Sequence, residues 1–258
     1  PLEYEPFALA STLFENVHAS HEEWQNALRL YVRASFMPQV QAIERAFAHT
    51  VYEKDGEKIV GDYNTLVHMQ RVSIMAVLAA NRMYHSESEQ LLLMTGSRMH
   101  DAGKLVPEIR LLSGVPNLSD EQRTLMDSHA ARGLEFTAVT SLGPIVQGLA
   151  GCHHMYQARP YGANLPMDGR RTDMEQILAT VDALEAMTAV REYRQNEQEL
   201  AATGAPVRPP CYTPLAAMQK LRDPTTGLRV SPMIFHTLDE LLNIDSSIPP
   251  TASQQTYQ

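Results

Sequence analysis

The histidine and aspartate residues inside apolar helical stretches are the residues whose types and spacing could do chemistry. The chain has ten histidines among its 258 residues. An imidazole or a carboxylate in a core is costly unless it is paired. A backbone hydrogen bond explains any one such residue, but a shared metal centre satisfies seven of them on five segments at once. The candidate ligands are His68, His100, Asp101, His129, His153, His154 and Asp182.

This ligand set indicates the class of metal and of reaction. Imidazole and carboxylate without thiolate favour Fe, Mn, Ni or Zn. A carboxylate such as Asp101 can bridge two ions, and two metals about 3.5–4 Å apart form a clamp for in-line displacement at phosphorus. Lys104 lies one turn beyond Asp101, where its ammonium could contact a phosphate; a solvated lysine at a helix end is the alternative. The sequence predicts a two-metal phosphodiesterase with Asp101 and Lys104 as catalytic residues.

The elements that position these residues are predicted to be helices, and no strand alternation is evident. Apolar stretches predict helices over residues 66–84 and 90–102. Ser119 with Gln122 and Thr172 with Glu175 form capping-box patterns that predict two helix starts. Pro144, Thr213-Pro214 and Ser231-Pro232 predict three further starts. We therefore expect an all-α helical bundle.

The pattern divides the chain into three parts. Residues 1–61 form an N-terminal helical extension without candidate ligands, which we interpret as a regulatory or dimerisation segment. The turn at Asp55-Gly56 marks its end. Residues 62–248 form the predicted catalytic domain. Residues 249–258 form a polar tail, expected to be disordered.

Charge and composition exclude several classes of function. The net charge of −9 argues against a long nucleic acid as the main ligand, because a phosphate backbone requires a basic surface. No stretch of eighteen apolar residues predicts a membrane span, and the first ten residues lack a signal-peptide pattern. The two cysteines are interpreted as reduced thiols. We expect a cytoplasmic protein with no membrane or long nucleic acid partner.

Five segments in order resemble the HD superfamily of metal-dependent phosphohydrolases, and more closely its HD-GYP branch, which degrades cyclic di-GMP in bacterial signalling. The matching residues extend from about Thr65 to Phe235. The segments are His100-Asp101-Ala102-Gly103-Lys104, His129 to Gly133, Gly151 to His154, Ile177 to Thr188, and Arg191 to Arg194.

The resemblance implies an HD-type bundle and assigns roles to the candidates. One metal would be held by His68, His100, Asp101 and Asp182, and the other by Asp101, His129, His153 and His154. Lys104 would contact the scissile phosphate, while Arg191, Arg194 and Tyr161 would bind the nucleotide. The expected cofactors are two divalent ions, Fe or Mn, with Ni or Zn as alternatives. The expected substrate is cyclic di-GMP, and a homodimer or a signalling protein partner is left open.

Three departures from the branch leave alternatives open. Asn64 stands where trinuclear members carry Glu, which favours two metals. Met155 stands where Glu usually follows the paired histidines. Arg159-Pro160-Tyr161-Gly162 has lost the Gly-Tyr-Pro order, so another nucleotide substrate, or a nucleotide-binding sensor without turnover, remains an alternative. An HD-fold di-iron oxygenase is a third hypothesis, which Lys104 disfavours because a lysine at this position suits a phosphate.

Overall fold

A computed structural model describes residues 17–54, 56–113, 115, 118–163, 169–189 and 211–245. Its elements are α1 His21–Ser35, α2 Pro38–His49, β1 Val51–Lys54, β2 Glu57–Val60, α3 Tyr63–Arg82, α4 Glu87–Ser97, a 3₁₀ helix Ala102–Leu105, α5 Pro107–Arg110, α6 Asp120–Asp127, α7 His129–Ala138, α8 Gly143–Cys152, α9 Gly169–Thr188, α10 Pro214–Leu221 and α11 Pro232–Leu242. The expected all-α class is confirmed, and no helix in these residues is long and apolar enough to cross a membrane.

Helix α3 is the centre of the bundle. An unbroken run of its residues from Val72 to Ala80 is buried, as a helix that is apolar all round requires. Asp62 begins α3, because its side chain accepts a hydrogen bond from the Thr65 N–H at 3.0 Å. Helices α1, α4, α9 and α11 all contribute to the core around it.

The N-terminal helices share this core and also hold the turn that follows α4. Leu30 of α1 is fully buried in the same cluster as the residues of α3. Arg98, at the end of α4, donates hydrogen bonds to Glu44 of α2 and to Ser35 at the end of α1. Its guanidinium also lies 4.2 Å from the centre of the Tyr31 ring. Helices α1 and α2 therefore contact the segment that carries His100 and Asp101.

Several helix starts match the sequence and others do not. The capping box of Ser119 with Gln122 is present, and Thr213 and Ser231 cap the helices that follow them. Thr172 is not the cap that was predicted, because α9 already includes Gly169. The predicted turn at residues 54–58 lies between two short strands, β1 and β2, which pair as an antiparallel hairpin. The sequence had predicted no strands. Neither strand alternates apolar and polar residues, since each has two apolar residues in succession, Val51-Tyr52 and Ile59-Val60, so the pattern of a half-buried strand is absent. The predicted tail at 249–258 lies outside the described residues.

Candidate metal centre

The seven candidate ligands come together in the interior of the bundle. His68 lies on α3 and Asp182 on α9, while His129 is the first residue of α7. The other four lie in two turns, one after α4 and one after α8. The structure corrects one expectation, since α4 ends at Ser97 and not at Ala102. All seven side chains are buried, and His100 and His153 have no exposed surface.

A glycine allows the turn after α4 to approach α7. A Cβ atom on Gly103 would lie 1.9 Å from the backbone oxygen of His129 and 2.7 Å from the backbone nitrogen of Gly133. Both distances are far below van der Waals contact, so a side chain at this position requires the backbone to move. Gly103 thus keeps Asp101 beside His129.

The carboxylate of Asp101 lies between two groups of ligands. Its Oδ2 atom is 3.5 Å from His100 Nε2 and 3.8 Å from His68 Nε2. Its Oδ1 atom is 3.3 Å from His129 Nε2 and 4.0 Å from His153 Nε2. Each oxygen therefore faces a different set of imidazoles, which is the arrangement that a bridging carboxylate needs.

The remaining ligands complete the two sides. On the Oδ2 side, Asp182 Oδ1 is 2.9 Å from His68 Nε2 and 3.7 Å from His100 Nε2. On the Oδ1 side, His129 Nε2 is 3.3 Å from His153 Nε2 and 3.2 Å from His154 Nε2. We call these the carboxylate side and the imidazole side of Asp101. One group of three on each side has ligand atoms close enough together to hold a metal ion, as does a third group, His100, His153 and Asp182, which joins the two sides.

Backbone carbonyls orient three of the histidines in the same way. The Nδ1 atoms of His100, His129 and His153 lie 2.7, 2.7 and 3.0 Å from the carbonyl oxygens of the residues three positions earlier. A carbonyl only accepts, so each Nδ1 carries the proton and each Nε2 presents a lone pair. The Nε2 atom of His100 is buried and has no hydrogen-bond partner. A lone pair left unpaired in the core fits a metal ligand.

Two further residues hold the other histidines, and the sequence did not single them out. Glu185 Oε2 lies 2.5 Å from His68 Nδ1. The side-chain amide of Gln157 lies 2.7 Å from His154 Nδ1. Glu185 follows Asp182 by three positions, as Gln157 follows His154. On α9 that spacing places the two side chains on one helical face, and it was the available signal for Glu185, whereas Gln157 lies beyond the end of α8 and outside a helix.

Burial lowers the pKa values of three histidines in this site, and neighbouring carboxylates raise them. Burial by itself lowers the pKa of His68, but the carboxylates of Glu185 and Asp182 outweigh it and raise this pKa to about 9. Burial lowers the pKa of His154 to about 3, although Asp182 opposes the shift. Burial and the neighbouring His154 hold the pKa of His153 well below its usual value.

The two aspartates keep their charge in spite of burial. Burial by itself raises the pKa of Asp101, but the ammonium of Lys104 and the imidazole of His100 hold it well below its usual range. Burial by itself also raises the pKa of Asp182, but the neighbouring imidazoles of His100 and His68 outweigh it and hold this pKa well below the usual range. The centre therefore presents anionic oxygens with neutral imidazoles on one side, which is the chemistry of a divalent cation site.

Two of the predicted substrate-binding residues, Lys104 and Tyr161, lie at the border of the cluster. Lys104 Nζ is 2.6 Å from Asp101 Oδ2, and its side chain is 21% exposed. The ring of Tyr161 packs on that of His154, with 4.4 Å between centroids. Burial and the nearby carboxylates of Asp127 and Asp182 raise the pKa of the Tyr161 hydroxyl, so it stays protonated. Arg191 and Arg194 lie outside the described residues.

Comparisons with known proteins give partial matches. The 3'3'-cGAMP-specific phosphodiesterase 2 of Vibrio cholerae is 27% identical over 138 residues, 50% of this chain and 25% of that protein. The 3'3'-cGAMP-specific phosphodiesterase 3 of the same organism is 26% identical over 133 residues, 50% of this chain and 28% of that protein. The chain thus spans about a quarter of the length of these curated relatives.

The comparison with solved structures gives a distant likeness, and no family model matches the chain. The HD domain of the L. monocytogenes phosphodiesterase PgpH, solved in complex with cyclic di-AMP, aligns with a TM-score of 0.45 and 13% identity. The alignment covers 80% of this chain and 94% of that one.

Proposed function

We propose that this chain is an HD-type, metal-dependent phosphodiesterase that hydrolyses a cyclic dinucleotide. The observation that carries the proposal is the position of Asp101, whose two carboxylate oxygens each face a separate set of buried imidazole Nε2 atoms. A structural histidine cluster does not require this division, whereas a pair of metals with one bridging carboxylate does. The partial similarity to two cyclic dinucleotide phosphodiesterases supports the same reaction class.

Two divalent ions fit the donor set, one on each side of Asp101. His68, His100 and Asp182 would complete the carboxylate side, and His129, His153 and His154 the imidazole side. We propose Fe or Mn, with Ni or Zn as alternatives, because the donors are imidazole and carboxylate. Such a pair supplies a nucleophile from water at neutral pH and neutralises charge on a phosphoryl oxygen. Asn64, which is exposed one turn before His68, offers no third carboxylate.

The residues around the metals have separate tasks in this reaction. Asp101 would keep both positions at a fixed separation. Lys104 would leave Asp101 for the non-bridging oxygens of the scissile phosphate, because an ammonium stabilises the charge that develops there. Its partial exposure places it where a phosphate can arrive from solvent. Tyr161, packed on His154, would contact the nucleotide, as Arg191 and Arg194 are also proposed to do.

Two cyclic dinucleotides are proposed as the substrate. The motif resemblance favours cyclic di-GMP, which hydrolysis would open to linear pGpG. The partial match to two 3'3'-cGAMP-specific phosphodiesterases favours 3'3'-cGAMP. Both contain guanine and two 3'–5' phosphodiester bonds, so the chemistry is the same and the base contacts differ.

The test is a hydrolysis panel on purified protein. The metal-free protein is loaded with Mn²⁺ or with Fe²⁺ under anaerobic conditions and incubated with cyclic di-GMP, 3'3'-cGAMP and cyclic di-AMP. We expect a linear dinucleotide from one of the first two. Product from 3'3'-cGAMP alone would refute the cyclic di-GMP assignment. Metal uptake without product from any of the three would refute the phosphodiesterase proposal.

A nucleotide sensor is a second candidate, which the altered segment at Tyr161 and Gly162 favours. A protein of this kind would bind the cyclic dinucleotide at the metal centre and release it unchanged. Calorimetry with the same three nucleotides separates the candidates, since saturable binding with no product after long incubation is expected only of the sensor.

A further inference from the structure

Glu185 lies outside the predicted ligand set, yet it contacts one of its members closely. Its Oε2 atom is 2.5 Å from His68 Nδ1, while Asp182 Oδ1 is 2.9 Å from His68 Nε2. Both carboxylates lie on α9 three positions apart, and this spacing brings them to one face of the helix. Helix α9 therefore holds both ring nitrogens of a histidine on α3. The side chain of Glu185 is 1% exposed.

His68 differs in this respect from the other histidines of the centre. Neutral carbonyls hold the Nδ1 atoms of His100, His129 and His153, and an amide contacts that of His154. Once a metal replaces the Nε2 proton, a carboxylate at Nδ1 fixes the ring in the tautomer whose Nε2 lone pair faces the metal. It also makes that Nε2 a stronger donor to a metal, because the imidazole gains electron density through the charged hydrogen bond.

A nearby guanidinium gives Glu185 a second partner in the core. Arg71 lies one turn after His68 on α3, and its Nη1 atom is 3.4 Å from Glu185 Oε1. Charged partners offset the cost of burying a carboxylate. The two oxygens of Glu185 thus have different partners, both on α3, which fixes the carboxylate between them.

We propose that Glu185 is a positioning residue that makes the carboxylate side the tighter of the two metal positions. This inference rests on the proposed two-metal centre and goes beyond it by ranking the two positions. The carboxylate side has His68 activated by Glu185 and two anionic ligands, Asp101 and Asp182. The imidazole side has three neutral ligands and shares only Asp101.

The test measures metal affinity and does not depend on turnover. Metal-free wild-type protein is titrated with Mn²⁺ by calorimetry, and we expect two binding steps of different affinity. In Glu185→Gln, the tighter step should weaken by about 10- to 100-fold, the usual effect of losing such a partner. The weaker step should change by less than about threefold, because the ligand that Glu185 contacts, His68, belongs to the carboxylate side.

Glu175→Gln is the matched control, since Glu175 is another buried carboxylate on α9. Its described contact is with the Tyr156 hydroxyl at 3.1 Å, so both Mn²⁺ steps should keep their wild-type affinities. Equal weakening of both steps in Glu185→Gln, or no change in either, would overturn the proposal. Two Mn²⁺ steps without hydrolysis of any cyclic dinucleotide would instead refute the proposed function and leave this inference standing.

A spectroscopic measurement on the wild-type protein covers the case in which Glu185→Gln does not fold. In Zn²⁺-loaded protein with ¹⁵N-labelled histidine, the Nδ1 proton of His68 should resonate downfield of those of His100, His129 and His153, because a carboxylate is a stronger acceptor than a carbonyl. A His68 proton at the same position as the other three would overturn the proposal.

Discussion

The two sides of Asp101 use the same ligand type, imidazole, but hold it with different groups. On the carboxylate side, Asp182 and Glu185 contact both nitrogens of His68. On the imidazole side, His129 and His153 are held through backbone carbonyls and approach each other through Nε2. The carboxylate side therefore carries more negative charge than the imidazole side, which is approached by Asp101 Oδ1 and, at 3.9 Å from His154 Nδ1, by Asp182 Oδ2. Histidines of equal burial thus acquire opposite electrostatic character from their neighbours.

The two sides also differ in the elements that build them. His68 and Asp182 lie within α3 and α9, two helices of 20 residues each. His153 and His154 lie in the turn after α8, and His129 lies at the first position of α7. Long buried helices fix their side chains by packing, whereas a turn depends on the contacts of its backbone. We therefore expect the imidazole side to be more sensitive to changes in nearby turns.

The largest effect is expected from Asp101→Asn, because the two oxygens of Asp101 face different sets of imidazole Nε2 atoms. The amide keeps the shape but cannot bridge two cations as an anion. We expect both metal equivalents to be lost. Losing a residue that only supports a ligand typically lowers activity by about 10- to 100-fold, and we expect a larger loss here. Elemental analysis and product formation check this together.

Asp239→Asn is the control for Asp101→Asn, since Asp239 is a buried carboxylate on α11 that pairs with Arg222. This variant should lose stability and keep both metal equivalents. If Asp101→Asn retained two metals and turnover, Asp101 would not be the bridge, and the comparison of its two sides would lose its basis.

A smaller effect is expected when a ligand of one side is removed. His68→Gln should leave the imidazole side loaded, and His129→Gln should leave the carboxylate side loaded, so each variant should bind one metal equivalent. Mn²⁺ titration counts the equivalents, and product formation should be lost in both variants. Loss of both equivalents in either variant would mean that the two sides bind metal as one unit.

The sequence predicted which His and Asp side chains lie together in the core, because the cost of burying them is visible without a structure. His68 and Asp182 each interrupt an apolar helical run, and such a residue needs a partner. The sequence also predicted the central helix and the caps at Ser119, Thr213 and Ser231, since each is a local pattern. That the seven side chains would meet at one place was predicted from their number, because a single shared centre satisfies all of them at once.

The sequence did not predict what depends on contacts between distant segments. In the sequence Glu185 is an ordinary helical glutamate, 117 positions after His68. Its contact with His68 exists because α9 packs beside α3. The end of α4 at Ser97 was missed because Arg98 continues the helical pattern, while its side chain bonds to α1 and α2. Tertiary contacts decided both positions over local preference.

An intermediate effect is expected from Gly103→Ala. The added Cβ would lie 1.9 Å from a backbone oxygen of α7, so the turn that carries Asp101 must move away from His129. We expect a loss of about 1–3 kcal/mol in the free energy of unfolding, as for other overpacked sites, measured by urea denaturation. Metal on the imidazole side should weaken more than metal on the carboxylate side.

Gly133→Ala is the matched control for Gly103→Ala, because its Cβ would meet neighbouring backbone oxygens at 3.3 Å, a contact that small shifts can relieve. We expect a smaller loss of stability from it. An equal loss in the two variants, with metal binding unchanged, would show that Gly103 does not set the distance between Asp101 and α7.

A change of pH is expected to shift the stability of the metal-free protein, with opposite signs for the two sides. In the metal-free protein the pKa of His68 is raised to about 9, so its contribution to stability is complete below pH 6.5 and is lost as pH rises through 9. The pKa of His154 is lowered to about 3, so its contribution is present above pH 6.5 and is lost as pH falls from there. Each group changes stability by at most about 1.4 kcal/mol per pH unit.

Because the two slopes meet near the pKa of an unfolded histidine, the metal-free protein should be most stable near pH 6.5. The aspartates keep low pKa values and stay ionised through this range. Urea denaturation in the presence of a chelator between pH 5 and 9 measures the curve. His154→Gln should flatten its acidic limb, while His236→Gln, which changes an exposed side chain, should leave it unaltered. Stability that rises steadily from pH 5 to 9 would show that Glu185 and Asp182 do not govern His68.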